Sequence, residues 1–215
     1  MELHRLTSRD ERAEFARKLE EARATRGAGF REKKRSVLGE VHLAFGDLYA
    51  VYDESSPRPR DMLAGFIIHS LDQFPLTYPC PELSALDPSR VFEGGELWSL
   101  QKGAGTVARV GASVVLGFRR ALAMVVFPMV KPWDLSKPYA TFRKIGGEFE
   151  WPFAETIDGE KIIAQALVLD GAALDKSLAL AFKMDLEIAD DGRSIRIRGG
   201  LDERVAASKP RDDYR

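Results

Sequence analysis

Two carboxylates, Glu93 and Glu96, lie in the stretch Phe92 to Leu100, which has strand character. Directly behind it, Gln101-Lys-Gly-Ala-Gly-Thr106 makes a glycine-containing turn, and beyond it Val110, Val114, Phe118 and Leu122 recur at helical spacing. A strand that opens onto a helix through glycines presents unpaired backbone N–H groups and the positive end of the helix dipole, which together hold phosphate. Leu100, Gln101, Lys102, Gly103, Ala104, Gly105 and Thr106 are therefore the candidate anion cradle, although glycines at such a turn also serve close packing alone. A strand carboxylate facing a cleft beside that cradle can take a proton from a reacting group, directly or through water. Strand alternation puts Glu96, Trp98 and Leu100 on one face and Leu97 and Ser99 on the other. Glu96 is thus the first choice for a general base, sharing a cleft wall with an indole, and Glu93 the second. An ordinary salt-bridged sheet glutamate fits the same positions.

The other reactive side chains offer less. His4, His42 and His69 are far apart in sequence and lack the spacing of a ligand set, so no metal site is expected. Ser99 lacks the glycine flanks of a nucleophile elbow and reads as structural. Cys80, between Pro79 and Pro81, has no identifiable base beside it and reads as inert. As the only cysteine it excludes an internal disulfide and a cysteine-built metal site. Trp98, Phe66, Phe74 and Phe118 either line an apolar tunnel or belong to plain core.

The elements that must position these groups read as follows. Ser8 and Glu11 have capping-box spacing, and Phe15 and Leu19 continue as the narrow stripe of a surface helix to about Arg26. A basic cluster, Arg31, Lys33, Lys34 and Arg35, follows as a solvated loop or a surface for an acidic partner. Asp47 to Tyr52 and Met62 to Leu71 read as strands joined by the polar, proline-containing segment Glu54 to Arg60. Pro75 to Pro88 is too rich in proline for a regular element. Later come a buried strand at Ala123 to Val130, a helix at Asp134 to Ile145 closed by Gly146 and Gly147, a strand at Lys161 to Leu169 and a short helix at Gly171 to Leu180. A hairpin from Met184 to Ile197 turns at Asp190-Asp-Gly192. The order predicts an α/β (α+β) chain with a mixed, mainly antiparallel sheet flanked by helices.

At 215 residues, with 45% apolar and 30% charged side chains, the chain fits one globular domain over 1–202 with a polar tail at 203–215. A net charge of -1 gives no support for nucleic acid or an anionic membrane as partner. The longest apolar stretch, Ala121 to Val130, is interrupted by Pro128 and too short to span a bilayer, and no signal-peptide run opens the sequence. A cytoplasmic location is expected.

The runs Asp47 to Tyr52, Leu63-Ala-Gly-Phe-Ile-Ile68 and Glu96 to Leu100, with the glycine loop and its helix, resemble the strand order of the GNAT acyltransferase superfamily. Tyr139 to Gly147 resembles that superfamily's late helix. Gly29-Phe30, Gly46-Asp-Leu-Tyr-Ala-Val-Tyr-Asp53, Phe74-Pro75 and Gly95-Glu-Leu-Trp-Ser99 are similar to the acyl-homoserine-lactone synthases and long-chain N-acyl amino acid synthases. The resemblance implies transfer of an acyl group, long and apolar rather than acetyl, from a coenzyme A or acyl-carrier-protein thioester to a small-molecule amine. Coenzyme A is then a cosubstrate and no cofactor is permanently bound. It also implies Glu96 as base, Tyr139 as a proton donor to the leaving thiolate, and Phe30, Phe66, Phe74 and Trp98 around the substrate. His69 stands where the lactone synthases carry an arginine, and charged residues around Lys34 stand where they carry a tryptophan, so lactone synthesis from S-adenosylmethionine is not expected. The superfamily's glycine signature is one residue short at Gln101 to Gly105, and Phe142 replaces its acidic tyrosine. Those departures keep open a non-catalytic domain that binds an acyl thioester or a protein partner.

Overall fold

The computed structural model describes residues 1–25, 30–32, 42–53, 61–136, 139–183, 185–188 and 194–198. Its strands are β1 (Glu2–Leu6), β2 (Phe30–Glu32), β3 (Asp47–Tyr52), β4 (Met62–Ser70), β5 (Val91–Ser99), β6 (Ala123–Val126), β7 (Met129–Lys131), β8 (Arg143–Thr156), β9 (Lys161–Asp170), β10 (Asp185–Ile188) and β11 (Ser194–Arg198). Among the described residues three long helices accompany them, α1 (Arg9–Thr25), α2 (Ala104–Phe118) and α3 (Gly171–Phe182). One mixed sheet runs β10-β11-β1-β3-β4-β5-β6-β9-β8-β2, with β7 also paired to β9. Among these pairings only β5 with β6 is parallel.

Side-chain alternation distributes three apolar clusters over the two faces. Leu48 and Ala50 point to α1, where Phe15, Leu19 and Ala22 meet them together with Ile67 and Trp98. Tyr49 and Val51 point the other way, onto Val107, Ala108 and Val115 of α2, and α3 adds Leu174 and Ala181. On the α1 side, farther along, the segment 71–90 carries Leu83 onto Val91, Val125, Ile145 and Val168. The start of α1 is fixed by the expected capping box: Ser8 Oγ accepts from the Glu11 amide (3.2 Å) and the Glu11 carboxylate accepts from the Ser8 amide (2.8 Å). No helix among the described residues is long and apolar enough to cross a membrane.

Three sequence expectations are corrected. The helix expected at Asp134 to Ile145 is absent; from Arg143 the chain is the long strand β8, so the likeness of Tyr139 to Gly147 to a late helix does not hold. Glu148-Phe-Glu-Trp-Pro-Phe153 alternates charged and aromatic residues with period two, and Pro152 is unfit for a helix interior. Gly146, read as a helix stop, has φ +60° and lies where the β8–β9 register shifts between Lys144 and Glu148, so it makes a bulge instead. The strand expected at Ala123 to Val130 is divided into β6 and β7 around Pro128, which has no amide to give a ladder. Finally, β1 and β2 were not anticipated. The basic residues Lys33 to Arg35, the loop 54–60, the turn 190–192 and the tail 203–215 fall outside the described residues, as does the side chain of Arg31.

One feature of the sheet prepares the site. β5 pairs with β6 only at Val91↔Ala123, Phe92↔Met124 and Glu93↔Val125, and Gly94 to Ser99 then run on without a β6 partner. The sheet therefore opens along β5, and α2 begins at the end of that free edge.

Candidate functional site

Beyond Glu93, β5 is irregular. Gly65 of β4 stands opposite Trp98 and Ile67 opposite Gly95, so Glu96 and Leu97 together oppose Phe66 alone, which is a β-bulge. Glu96 sits in it with φ +50°, a left-handed conformation that glycine adopts freely and other residues adopt at a cost of about 1–3 kcal/mol. Two glycines, Gly94 and Gly95, lead into it, and a Cβ on Gly94 would displace the terminal methyl of Met124 of β6. A Cβ on Gly95 would meet nothing within 4 Å.

The Glu96 side chain is 28% exposed and accepts from Arg23 of α1 at 2.7 Å; Arg23 also pairs with Glu20. The carboxylate therefore lies on the α1 face with Trp98, as alternation predicted, and one cation orients it. Trp98 is buried in the core against Phe15, with ring centroids 5.3 Å apart, and its indole Nε1 has no partner among the described residues.

At the end of the open edge, Leu100 donates its amide to Leu63 and packs on the α1 cluster. Gly103 has φ +92° and stands at the N-cap of α2. Its carbonyl accepts from Thr106 and Val107, while Ala104 donates to Gln101, which leaves the Gly105 amide without a protein acceptor among the described residues. A Cβ on Gly105 would lie 3.2 Å from Ser99 Cβ, so this glycine brings the helix start up against β5. Gln101 and Lys102 are exposed. Ser99 donates its hydroxyl to the Gln101 carbonyl, a turn-stabilising contact.

The remaining expected site residues are distributed as follows. Phe66 is stacked on Tyr49 under α2 in the core. Phe118 is half exposed at the end of α2, edge-on to Phe182. Tyr139 stands in the turn before β8, edge-on to Phe142. The side chain of Phe30 lies outside the described residues. Phe74 is brought to His42 and His69, with ring centroids 5.9 and 5.7 Å away.

Glu93 is buried, and Thr77 donates both its amide (2.7 Å) and its hydroxyl to the carboxylate. Burial pushes its pKa up to about 7, against the pull of those two hydrogen bonds. Burial, then Glu82 and Glu93, push the Cys80 thiol up to about 11. At pH 8 a native Cys80 should thus react with a disulfide reagent about a hundredfold more slowly than in the urea-unfolded chain. Equal rates would show an accessible, activated thiol.

Sequence reasoning missed the bulge and the Arg23 partner. The run Gly94-Gly-Glu96 inside a strand was the available sign of the bulge. A further wall also went unread: Phe127, Phe149, Trp151 and Phe153 form a chain of ring contacts, with Tyr78 stacked on Phe149 at 3.7 Å.

No protein-family model matches the sequence, and no curated relative matches it either. Solved structures do. An N-acyl amino acid synthase from uncultured soil microbes, FeeM, superposes with TM-score 0.56 over 86% of this chain and 99% of its own, at 12% identity. A probable acetyltransferase from Staphylococcus epidermidis superposes with TM-score 0.51 over 78% of this chain and 98% of its own, at 5% identity. The chain therefore shares the fold of these two proteins, a mixed sheet flanked by helices, as the order of strands, glycine loop and helix had suggested.

Proposed function

We propose that the protein transfers an acyl group from a coenzyme A or carrier-protein thioester to a small amine, with Glu96 as the general base. The observation that carries this is the pairing of an opened β5 edge with a strained carboxylate at its bulge. A non-glycine residue held at φ +50° between a glycine pair and the core supports a role for its side chain, since glycine would adopt that backbone without strain. The thioester phosphates lie at Lys102 to Thr106, where the Gly105 amide and the start of α2 face an anion. The amine approaches on the α1 face, loses its proton to Glu96, and attacks the thioester carbonyl. A β5 backbone amide polarises that carbonyl. The departing thiolate takes its proton from solvent, since the late-helix likeness that had suggested Tyr139 as the donor does not hold.

The aromatic wall from Phe127 to Phe153 supports an apolar acyl group longer than acetyl, because such rings bury alkyl chain at about 25 cal/mol per Å². His69 is buried and turned toward Glu93, which supports an acceptor other than S-adenosylmethionine. A second reading, a module that binds acyl thioesters without turning them over, draws on the Arg23–Glu96 ion pair, which occupies the base.

Coenzyme A and acyl thioesters should raise the melting temperature, because a ligand of the native state alone stabilises it by mass action. Lys102 is exposed, so Lys102→Glu should leave the unliganded melting temperature unchanged while weakening coenzyme A binding about ten- to a hundredfold, the worth of one charge-assisted contact. Equal affinity in that folded variant would remove the phosphates from this loop. Binding with no turnover across a panel of amino acids and other small amines would favour the second reading.

A further inference from the structure

The sequence keeps His42 and His69 apart, and the fold brings them together. His42 comes from the helical residues 42–45 that precede β3, His69 from the end of β4, and Glu93 from the position directly opposite His69 on β5. One nitrogen from each imidazole and one carboxylate oxygen lie within 4.8 Å of one another. The two rings are 4.8 Å apart, and His69 Nε2 is 3.7 Å from Glu93 Oε2, too far for a hydrogen bond.

Three facts mark this group as more than packed core. First, Nε2 of both histidines is buried and has no hydrogen-bond partner among the described residues, whereas buried side-chain polar atoms are as a rule paired. His69 itself is 3% exposed and Glu93 4%. Second, His69 is hydrogen-bonded to the Pro75 backbone. Because its Nε2 is unpartnered, that bond belongs to Nδ1–H, so the tautomer inferred from it leaves the Nε2 lone pair facing the cluster. Third, Thr77 fixes the carboxylate from behind with an amide and a hydroxyl. A ring nitrogen tied to a backbone carbonyl and a carboxylate held by outer donors are the supports that orient metal ligands.

We propose that His42, His69 and Glu93 bind a divalent transition-metal ion of the zinc type, with two imidazole Nε2 atoms and one carboxylate oxygen as ligands. Tetrahedral zinc with bonds of about 2.1 Å places its ligands about 3.4 Å apart, so the widest pair must close by about 1.4 Å through side-chain rotation. Two imidazoles and a carboxylate suit zinc, cobalt or ferrous iron and do not suit calcium or magnesium. Phe74 covers both rings edge-on. The ion ties residues 42–45 and the Phe74 to Thr77 segment to β4 and β5 just before the bulge, so its role is to hold the α1 face in place.

The test uses the full chain, freed of metal by chelator and then titrated with zinc or cobalt chloride. Binding of one equivalent at micromolar affinity or better is expected, with a rise in melting temperature and visible absorption of low-coordinate cobalt. His42→Gln and Glu93→Gln should each weaken zinc binding at least a hundredfold. Thr77→Val, which keeps every ligand, should weaken it about ten- to a hundredfold and guards against a ligand variant that does not fold. Absence of stoichiometric binding overturns the proposal. So does equal affinity in the folded variants, which would locate the ion elsewhere.

Discussion

Glu96→Gln should lower turnover of an active thioester and amine pair by about a hundred- to ten-thousand-fold, the usual loss when a general base is removed. The fold should hardly notice. The Arg23–Glu96 pair is partly exposed and carries less than about 1 kcal/mol, and glutamine still accepts from Arg23. Glu96→Gly sharpens the comparison, because it relaxes the left-handed backbone while removing the carboxylate. Its stability should stay within about 1 kcal/mol of the parent, with turnover as low as in Glu96→Gln. A structural glutamate would behave in the opposite way, with turnover preserved in both variants. Near-normal turnover of Glu96→Gln from pH 6 to 9 would move the base elsewhere, first to Glu93.

The largest effect on stability is expected at Gly65. A Cβ there would lie 2.5 Å from the ring of Phe15, 2.9 Å from the Tyr49 carbonyl and 3.0 Å from the indole of Trp98. Two are buried rings and one is backbone, so none moves aside cheaply. Gly65→Ala should therefore cost roughly 2–3 kcal/mol, the range of overpacked cores, and lower the melting temperature by about 5–10 °C for a chain of this size. Gly95→Ala on the neighbouring strand meets nothing and should change stability by less than about 0.5 kcal/mol. Similar melting temperatures for the two variants would mean that α1 does not sit on β4 as described.

Asp47 to Tyr52 and the helix after the glycine loop were legible because their signals are local: a short apolar run rich in strand-forming residues in one, a period of 3.6 after a flexible turn in the other. β8 was legible in principle, but its two glycines resembled a helix stop and outweighed the aromatic alternation behind them. β2 carried no such pattern, being only Phe30 to Glu32. For the site, sequence alone put Glu96 and Trp98 on one face, a local property. Arg23 beneath Glu96, His42 beside His69 and Thr77 behind Glu93 are long-range contacts, made by register and by the path of the 71–90 segment. No spacing along the chain encodes them.

The position of β1 has a consequence for the time course of assembly. It lies between β3 and β11, with Glu2 opposite both Tyr52 and Arg196. During synthesis at about 5–20 residues per second, β1 waits on the order of ten seconds or more for its second neighbour. Until then its free edge can pair with another nascent chain. β1 is thus completed by β11, a strand made about 190 residues later, so this side of the sheet closes only when translation has passed Arg198.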